Sequence, residues 1–159
     1  MIKPKIKLSP RLRAILSFVE GHILADIGTD HGYLPIAACM EYLGLRAIAC
    51  DLNAGPLKRA AENIKLHGLS DRIETRLGFG LDPILPEEAD CVVIAGMGGM
   101  NIIEILKKRA LPIKRLIVQP QHDLIAVRRA LDDMGFYPID EISVREGQRF
   151  YDIVSVKGR

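Results

Sequence analysis

The chain has 159 residues, an apolar share of 48% and a formal net charge of +2. This is the size of one domain, so we expect a single domain over residues 1–159 with one core. Apolar runs stay well short of the roughly 18 residues of a membrane span, and the basic N-terminus precedes no apolar signal core. These features argue against a membrane or exported protein and predict a cytoplasmic one.

The cysteines favour neither a disulfide framework nor a metal site. Cys39, Cys50 and Cys91 lie inside apolar stretches and show no C-x-x-C spacing. An odd number of cysteines in such surroundings is typical of buried free thiols. We therefore expect no bound metal.

Helix and strand signals alternate almost without exception along the first 135 residues. Ser9 and Pro10 suit a helix cap and first turn, and Gly44, Gly68 and Gly135 suit helix ends. In chain order the predicted elements are a helix from residue 10, a strand at 23–27, a helix at about 34–43, a strand at 47–51, a helix from residue 56, strands at 73–77 and 91–95, a helix at about 101–109, a strand at 116–118 and a helix at 124–134.

The last part of the chain breaks this alternation. Two strand-like runs, 137–144 and 150–156, are separated by only five residues, 145–149, and so short a link cannot hold a crossover helix. The pair must be antiparallel. The sequence thus predicts an α/β, Rossmann-like fold of the class I methyltransferase type, in which a mostly parallel seven-stranded sheet ends in an antiparallel hairpin and carries helices on both faces.

The first strand runs into a turn that is typical of nucleotide-binding folds. The segment Leu24-Ala-Asp-Ile-Gly-Thr-Asp-His-Gly32 holds two glycines and two aspartates but no Lys or Arg. It would repel a pyrophosphate and lacks the G-x-G-x-x-G spacing of dinucleotide sites. It would suit the sulfonium and ammonium groups of S-adenosylmethionine, whereas NAD is disfavoured.

The cofactor contacts are expected at the carboxyl ends of the strands, where open α/β sheets bind ligands. Asp51, at the end of the second strand, could accept hydrogen bonds from both ribose hydroxyls, which either cofactor class would use. The full set of expected cofactor-binding residues is Asp26, Gly28, Thr29, Gly32, Asp51, Leu52, Gly78, Phe79 and Gly96.

The segment Gly96-Met-Gly-Gly99 follows the fourth strand and has two interpretations. Its glycines could let a substrate base approach the backbone while Met97 or Met100 packs on its face, which makes Met97 and Gly98 candidate catalytic positions. It could instead be a flexible loop that merely begins a helix.

The positive charge is concentrated near the N-terminus, at Lys3, Lys5, Lys7, Arg11 and Arg13. These residues could form a solvated face or an arm that contacts phosphates, and charge alone does not decide between them. Aromatic residues make up only 5% of the chain, so no stacking platform for single strands is apparent.

Three segments together resemble the TrmK family of bacterial tRNA methyltransferases, which modify N1 of adenine 22. They are Leu-Ala-Asp-Ile-Gly-Thr-Asp-His-Gly-Tyr-Leu-Pro at 24–35, Ile-Ala-Gly-Met-Gly-Gly at 94–99 and Gln-Pro-Gln at 119–121. The resemblance implies an enzyme that uses S-adenosylmethionine and tRNA. Phe79 departs from the small polar or acidic residue usual in the family, so an adenine contact there would be lost or replaced by stacking.

The resemblance also suggests roles for the remaining residues. Asp30 could stabilise the charge on the methylated base or accept a proton from the adenine amine, although it could equally be a helix-capping aspartate. We expect Lys5, Lys7, Arg11, Arg13, Gln119 and Gln121 to bind the substrate.

The family continues into a C-terminal helical extension, so we expect this sequence to be the catalytic domain alone, from a longer protein or a naturally short relative. A monomer or weak dimer is expected. The alternatives are a small-molecule methyltransferase, a non-catalytic RNA-binding relative and, third, an NAD oxidoreductase.

Overall fold

A computed structural model describes residues 5–108 and 112–158 of the chain. Within them, helices and strands alternate up to the last helix except at β3, which is followed directly by β4, as the hydrophobic pattern predicts. The elements are α1 (Pro10–Phe18), β1 (Ile23–Ile27), α2 (Tyr33–Glu41), β2 (Arg46–Asp51), α3 (Ala54–Leu66), β3 (Ile73–Leu77), β4 (Cys91–Met97), α4 (Gly99–Lys108), β5 (Arg115–Pro120), α5 (Leu124–Asp133), β6 (Tyr137–Glu146) and β7 (Arg149–Lys157).

The strands form one seven-stranded sheet in the order β3-β2-β1-β4-β5-β7-β6. The pairs among β1 to β5 are parallel, whereas β7 runs antiparallel to both β5 and β6. The expected class I methyltransferase topology is therefore confirmed. The strand order reverses between β1 and β4, and this reversal leaves a crevice at the carboxyl ends of those two strands.

Alternating side chains of the central strands bury the two faces of the sheet separately. On one face, Ala25 and Ile27 join a core that includes the apolar residues of α4 and α5. On the other face, Leu24 joins a core that includes residues of α1 and α2, such as Ile15 and Ile36. Asp26 lies between Ala25 and Ile27 in β1, so the alternation places it on the α1 side.

The local signals at the helix ends act as expected. Ser9 is the N-cap of α1, where its Oγ accepts the N–H of Leu12 at 3.2 Å. The cysteines are free and buried, as expected, and burial raises the pKa of the Cys50 thiol to about 12. In the part of the chain that the structure describes, no helix is both long and apolar enough to cross a membrane.

Two of the parallel strands extend further at their carboxyl ends than the hydrophobic pattern predicts. The predicted strand 91–95 continues to Met97, and the predicted strand 116–118 continues to Pro120. The register of the β4–β5 pair shifts between Ala95 and Met97, so Gly96 is the extra residue of a bulge and adopts a φ of 77°. The segment after residue 95 is therefore a bulged strand end and not a free loop.

Candidate functional site

Two neighbouring cavities open at the carboxyl edge of the sheet. The larger one, about 310 Å³, lies between the ends of β1 to β4 and α4. The smaller one, about 90 Å³, lies between the β1 turn and α1. Gly28 borders both cavities, so they form two compartments of one cleft around this residue.

The turn at Gly28 requires a glycine for two reasons. Its φ is 75°, a left-handed conformation that disfavours side chains, and a Cβ atom there would lie 2.6 Å from the Cε of Met97. The N–H groups of Gly28 and Thr29 both donate to the carbonyl of Cys50, at 2.9 and 2.8 Å. These bonds tie the turn to β2 and keep both compartments open.

Gly32 ends the same turn and begins α2. It is the N-cap residue of that helix, with a φ of 77°, and no side chain caps the helix there. The N–H of Gly32 donates to the carbonyl of Thr29 at 3.0 Å and Pro35 has no N–H, so Tyr33 and Leu34 are the residues of this first turn whose N–H groups have no partner within the helix.

Asp51 lines the larger compartment and is 9% exposed. Its Oδ2 accepts the N–H of Asp30 at 3.1 Å and its Oδ1 accepts the N–H of Asn53 at 3.0 Å. Two backbone donors from adjoining loops thus orient one carboxylate at the cavity wall. The remaining acceptor capacity of each oxygen can serve a pair of vicinal hydroxyls.

The other predicted residues of this compartment also line it. Leu52, Gly78 and Phe79 are at its wall, and the ammonium of Lys108 lies 4.3 Å from the centre of the Phe79 ring. Gly78 is packed against the ring of Pro83, which a Cβ atom would approach to 2.5 Å. The Phe79 ring therefore gives the cavity a flat, apolar part of its wall.

Asp26 lies in the smaller compartment and is buried. Its Oδ2 accepts the hydroxyl of Thr29 at 2.8 Å. Burial raises the pKa of Asp26 from 3.8 to about 6, while the Thr29 bond and the positive charge of Arg11 oppose that rise. A bound cation would favour the ionised carboxylate, so this compartment suits an ammonium group.

Arg11 is built into the same compartment, contrary to its expected place on an exposed phosphate-binding arm. Its Nη1 donates to the Oε1 of Gln119 at 2.8 Å, its backbone N–H donates to the Oε1 of Glu146 at 3.2 Å, and its guanidinium carbon lies 5.8 Å from the centre of the Tyr151 ring. The first turn of α1 lies against the end of β6, which turns this side chain inward. Asp26 and Arg11 thus offer opposite charges to a zwitterionic group.

Gln119 does not have the surface that direct substrate binding requires. Its side chain is fully buried, and its Oε1 also accepts the N–H of Gly96 at 3.2 Å. Its amide nitrogen donates to the carbonyl of Pro120 at 2.9 Å. Gln119 therefore holds the Gly96 bulge and Arg11 in place. Gln121 is exposed and lines neither compartment, and its Nε2 donates to the carbonyl oxygen of Gly96 at 3.5 Å.

The glycines after Gly96 are not open to a substrate base as expected. A Cβ atom on Gly98 would lie 2.9 Å from the ring of His122, and one on Gly99 would lie 2.6 Å from the carbonyl oxygen of His122. The loop before α5 fills both spaces. Met97 lines the larger compartment, but Met100 lines a groove between α4 and α5 away from the cleft.

Asp30 stands at the rim of the smaller compartment. It has a φ of 53°, and its side chain is 65% exposed with its Oδ2 3.6 Å from the Nε2 of His31. The His31 ring stacks on Tyr33 at a centroid distance of 5.3 Å. The Asp30 carboxylate is therefore exposed to solvent at this rim.

The basic N-terminal residues differ in their surroundings. Arg13 forms an ion pair with Glu41, which occupies the guanidinium expected to bind phosphate. Lys5 and Lys7 are exposed, and neither forms an ion pair with a described residue. Lys3 lies outside the described residues.

Comparison with known proteins assigns the chain to a family. The methyltransferase-domain family model matches residues 8–154. The crystal structure of the Bacillus subtilis M1A22 tRNA methyltransferase TrmK superposes with a TM-score of 0.91 at 34% identity, over 98% of this chain and 68% of that one. The structure of M. capricolum TrmK in complex with S-adenosyl-homocysteine superposes with a TM-score of 0.89 at 31% identity, over 96% of this chain and 69% of that one. The chain belongs to the TrmK family.

The match to TrmK proteins covers part of their length. The tRNA (adenine(22)-N(1))-methyltransferase of Bacillus subtilis is 36% identical over 154 residues, which are 94% of this chain and 65% of that protein. The chain thus spans about two thirds of this curated relative. The expected resemblance to TrmK is confirmed over nearly the whole sequence given.

In this TrmK-family chain, sequence reasoning missed the contribution of α4 to the cleft. Asn101, Glu104 and Ile105 line the larger compartment, as does Asn53. Asn101 and Glu104 are three residues apart and so share one face of the helix. Two polar residues on the face next to a strand end are the signal that could have revealed them.

Proposed function

We propose that this chain binds S-adenosylmethionine and transfers its methyl group to N1 of an adenine in tRNA, at position 22 as in the Bacillus subtilis relative. The observation that carries the proposal is the divided cleft around Gly28. Its larger compartment carries a carboxylate placed for a diol, and its smaller compartment carries Asp26 and Arg11 for a zwitterion. S-adenosylmethionine has a nucleoside at one end and an amino acid at the other.

The residues present fit this cofactor. Asp51 would accept hydrogen bonds from the ribose hydroxyls, Asp26 would face the ammonium and Arg11 the carboxylate. Phe79 and Ile105 would hold the adenine by apolar contact, with Glu104 at its edge. When bound, the cofactor supplies an electrophilic methyl group on a sulfonium.

The substrate adenine would enter between Gly96 and Gln121, where the bulge exposes backbone beside the cleft. The lone pair of N1 is free in adenine, so no base is needed to create the nucleophile. The chain must instead hold N1 in line with the methyl group and exclude water. Asp30, at the rim, would stabilise the positive charge of the methylated base.

The first test separates the cofactor classes. Titration calorimetry with S-adenosylhomocysteine and with NAD should show binding of the former alone. Preferential binding of NAD would overturn the assignment of the cleft.

The second test identifies the substrate. The protein, radiolabelled S-adenosylmethionine and an unmodified tRNA transcript with adenine at position 22 are incubated together, and the methylated base is mapped. A matched transcript with guanine at position 22 should remain unlabelled. Labelling of small molecules from a cell extract, but of no tRNA, would favour the small-molecule methyltransferase instead.

We also propose that the reaction requires no metal ion and that the chain acts in the cytoplasm as a monomer or weak dimer. Among the described residues, no group of three or more His, Cys, Asp and Glu side chains is placed to hold a metal. Under this proposal, activity should survive dialysis against a chelator, and sedimentation should give a mass near 17.6 kDa at low concentration.

A further inference from the structure

The hairpin of β6 and β7 reaches past the sheet at the edge where the cleft opens. Residues 154–157 of β7 pair with β5, but the pairing of β6 with β7 continues as far as Glu146 opposite Arg149. Because β6 runs parallel to β5, the turn of the hairpin points toward the carboxyl ends of the parallel strands. We call residues 142–153 the terminal ribbon.

The two faces of the terminal ribbon differ. Ile142 and Val144 pack on the core that contains α1. Arg145 and Phe150 are directly opposite each other in the register, so their side chains share the other face. Phe150 is 67% exposed and Arg145 is exposed as well.

An exposed phenylalanine beside free cations is an uncommon surface. Neither Arg145 nor Arg149 forms an ion pair with a described residue, although the Nε of Arg145 donates to the carbonyl of Gly147 at 3.0 Å. The acidic groups of the ribbon are Glu146, which accepts the N–H of Arg11, and the partly buried Asp152. The tip thus presents the Phe150 ring and the Arg145 guanidinium on one face, and Arg149, which lies opposite Glu146 in the register, on the other face.

The ribbon is also fastened to the proposed cofactor compartment. Arg11 contacts Glu146 through its backbone and lies over Tyr151, while its guanidinium contacts Gln119 beside the Gly96 bulge. The tip is therefore held at a set position next to the place where the adenine would enter. A nucleotide next to that adenine would lie toward the ribbon.

We propose that the tip of the terminal ribbon binds the tRNA substrate, with Phe150 stacked on a base and Arg145 and Arg149 on backbone phosphates. This inference rests on the proposed function. Stacking on an aromatic ring suits any unpaired base, and guanidinium groups suit phosphate. The low aromatic content of the chain argues against a stacking platform of several rings. In this proposal a single ring, Phe150, serves for stacking at the carboxyl edge of the sheet.

The direct test uses the absence of tryptophan from the chain. In a Phe150→Trp variant, the indole emission reports on the ribbon alone, and it should be quenched when unmodified tRNA is added at low salt. Leu43→Trp is the matched control, because Leu43 is 96% exposed and lies before β2 at the opposite edge of the sheet. Its emission should not change.

Affinity measurements separate stacking from simple apolar contact. Phe150→Ala and Phe150→Leu should each weaken tRNA binding about tenfold, whereas Phe150→Tyr should retain it. The dissociation constant for S-adenosylhomocysteine and kcat at saturating tRNA should stay at the wild-type values. Arg145→Ala with Arg149→Ala should flatten the salt dependence of binding by about two log-log units. Lys65→Ala with Lys157→Ala is the control, because Lys65 is exposed at the end of α3 and Lys157 is exposed opposite the start of β5, away from the carboxyl ends of the strands.

The outcomes distinguish the two proposals. Suppose that wild-type protein methylates tRNA. If Phe150→Ala then binds tRNA with wild-type affinity, or if the Phe150→Trp emission does not change when tRNA is added, the inference about the terminal ribbon is wrong and the proposed function stands. A Phe150→Ala variant that changes only the oligomeric state would also overturn it, in favour of a self-association surface. If tRNA quenches the Phe150→Trp emission but no tRNA is methylated, the proposed function alone is contradicted. Wild-type protein that binds no tRNA would contradict both proposals.

Discussion

The pKa of Asp26 couples cofactor binding to the stability of the fold. Burial outweighs the Thr29 hydroxyl and the charge of Arg11, so the pKa rises to about 6. The native state therefore favours the neutral acid. Ionising the buried acid therefore lowers the stability of the fold. This loss of stability is absent below pH 3.8, grows as pH rises toward 6 and is complete above pH 6.

We expect Asp26→Asn to stabilise the protein at pH 7.5 by about 1–3 kcal/mol, since a shift of about two units corresponds to at most about 3 kcal/mol. The gain should disappear below pH 4. Urea unfolding at the two pH values measures it, and Asp30→Asn, on an exposed side chain, should change stability by less than about 0.5 kcal/mol. The same Asp26 variant should bind S-adenosylhomocysteine weakly.

In the wild type, the affinity for S-adenosylhomocysteine should fall as pH drops below about 6, because the protonated Asp26 no longer attracts the ammonium group. An Asp26→Asn variant that destabilises the protein at pH 7.5, or a wild-type affinity that is constant from pH 8 to 5, would contradict this assignment.

Asp51 provides the second prediction at the scale of single residues. Asp51→Ala should weaken S-adenosylhomocysteine about ten- to a hundredfold, since charged hydrogen bonds to the ribose are worth roughly 1.5–3 kcal/mol. Calorimetry measures the loss, and Asp71→Ala, at an exposed aspartate before β3, is the control. An unchanged dissociation constant with an intact melting transition would remove Asp51 from the site.

At the scale of elements, the junction between β4 and α4 shows what the sequence pattern concealed. The run of glycines after residue 95 predicts a loop, yet Gly96 is a strand bulge and Gly99 begins a helix. The N–H of Gly96 is satisfied by the buried Gln119 side chain, 23 residues later in the chain. A partner so distant in sequence leaves no local pattern.

Two helical glycines test this interpretation. Gly99→Ala should destabilise the fold by about 1–3 kcal/mol, because its Cβ atom would lie 2.6 Å from the His122 carbonyl oxygen. Gly55→Ala in the first turn of α3 meets nothing within 4 Å and should stabilise by about 0.4–1 kcal/mol. Thermal melts of the two variants should move in opposite directions, and equal shifts would show that the junction tolerates a side chain.

At the scale of the whole molecule, the basic residues near the N-terminus, which form one cluster in the sequence, have different surroundings in the structure. Arg11 points into the cleft, whereas Lys5 and Lys7 remain exposed. Under the proposed function, this separation would give Arg11 to the cofactor and Lys5 and Lys7 to tRNA.

We expect Lys5→Ala with Lys7→Ala to flatten the salt dependence of tRNA binding by about two log-log units and to leave cofactor affinity unchanged. Arg11→Ala should instead weaken S-adenosylhomocysteine about tenfold or more. The two variants are measured side by side by calorimetry and by tRNA titration at several salt concentrations. If Arg11→Ala instead flattens the salt dependence and leaves cofactor affinity unchanged, Arg11 contacts tRNA and not the carboxylate of the cofactor.

The fold class and the proposed cofactor edge can be predicted from the sequence, because both depend on local information. Helix and strand periods, caps and the short final link predict the order of elements, and parallel topology brings their carboxyl ends together. Asp26, Gly28 and Asp51 all lie at that edge for this reason. The tertiary structure decided what faces the cleft, since Arg11, Gln119 and the α4 residues owe their places to packing between segments far apart in the chain. Side-chain direction at such contacts depends on the partner, and a partner distant in sequence leaves no periodic signal.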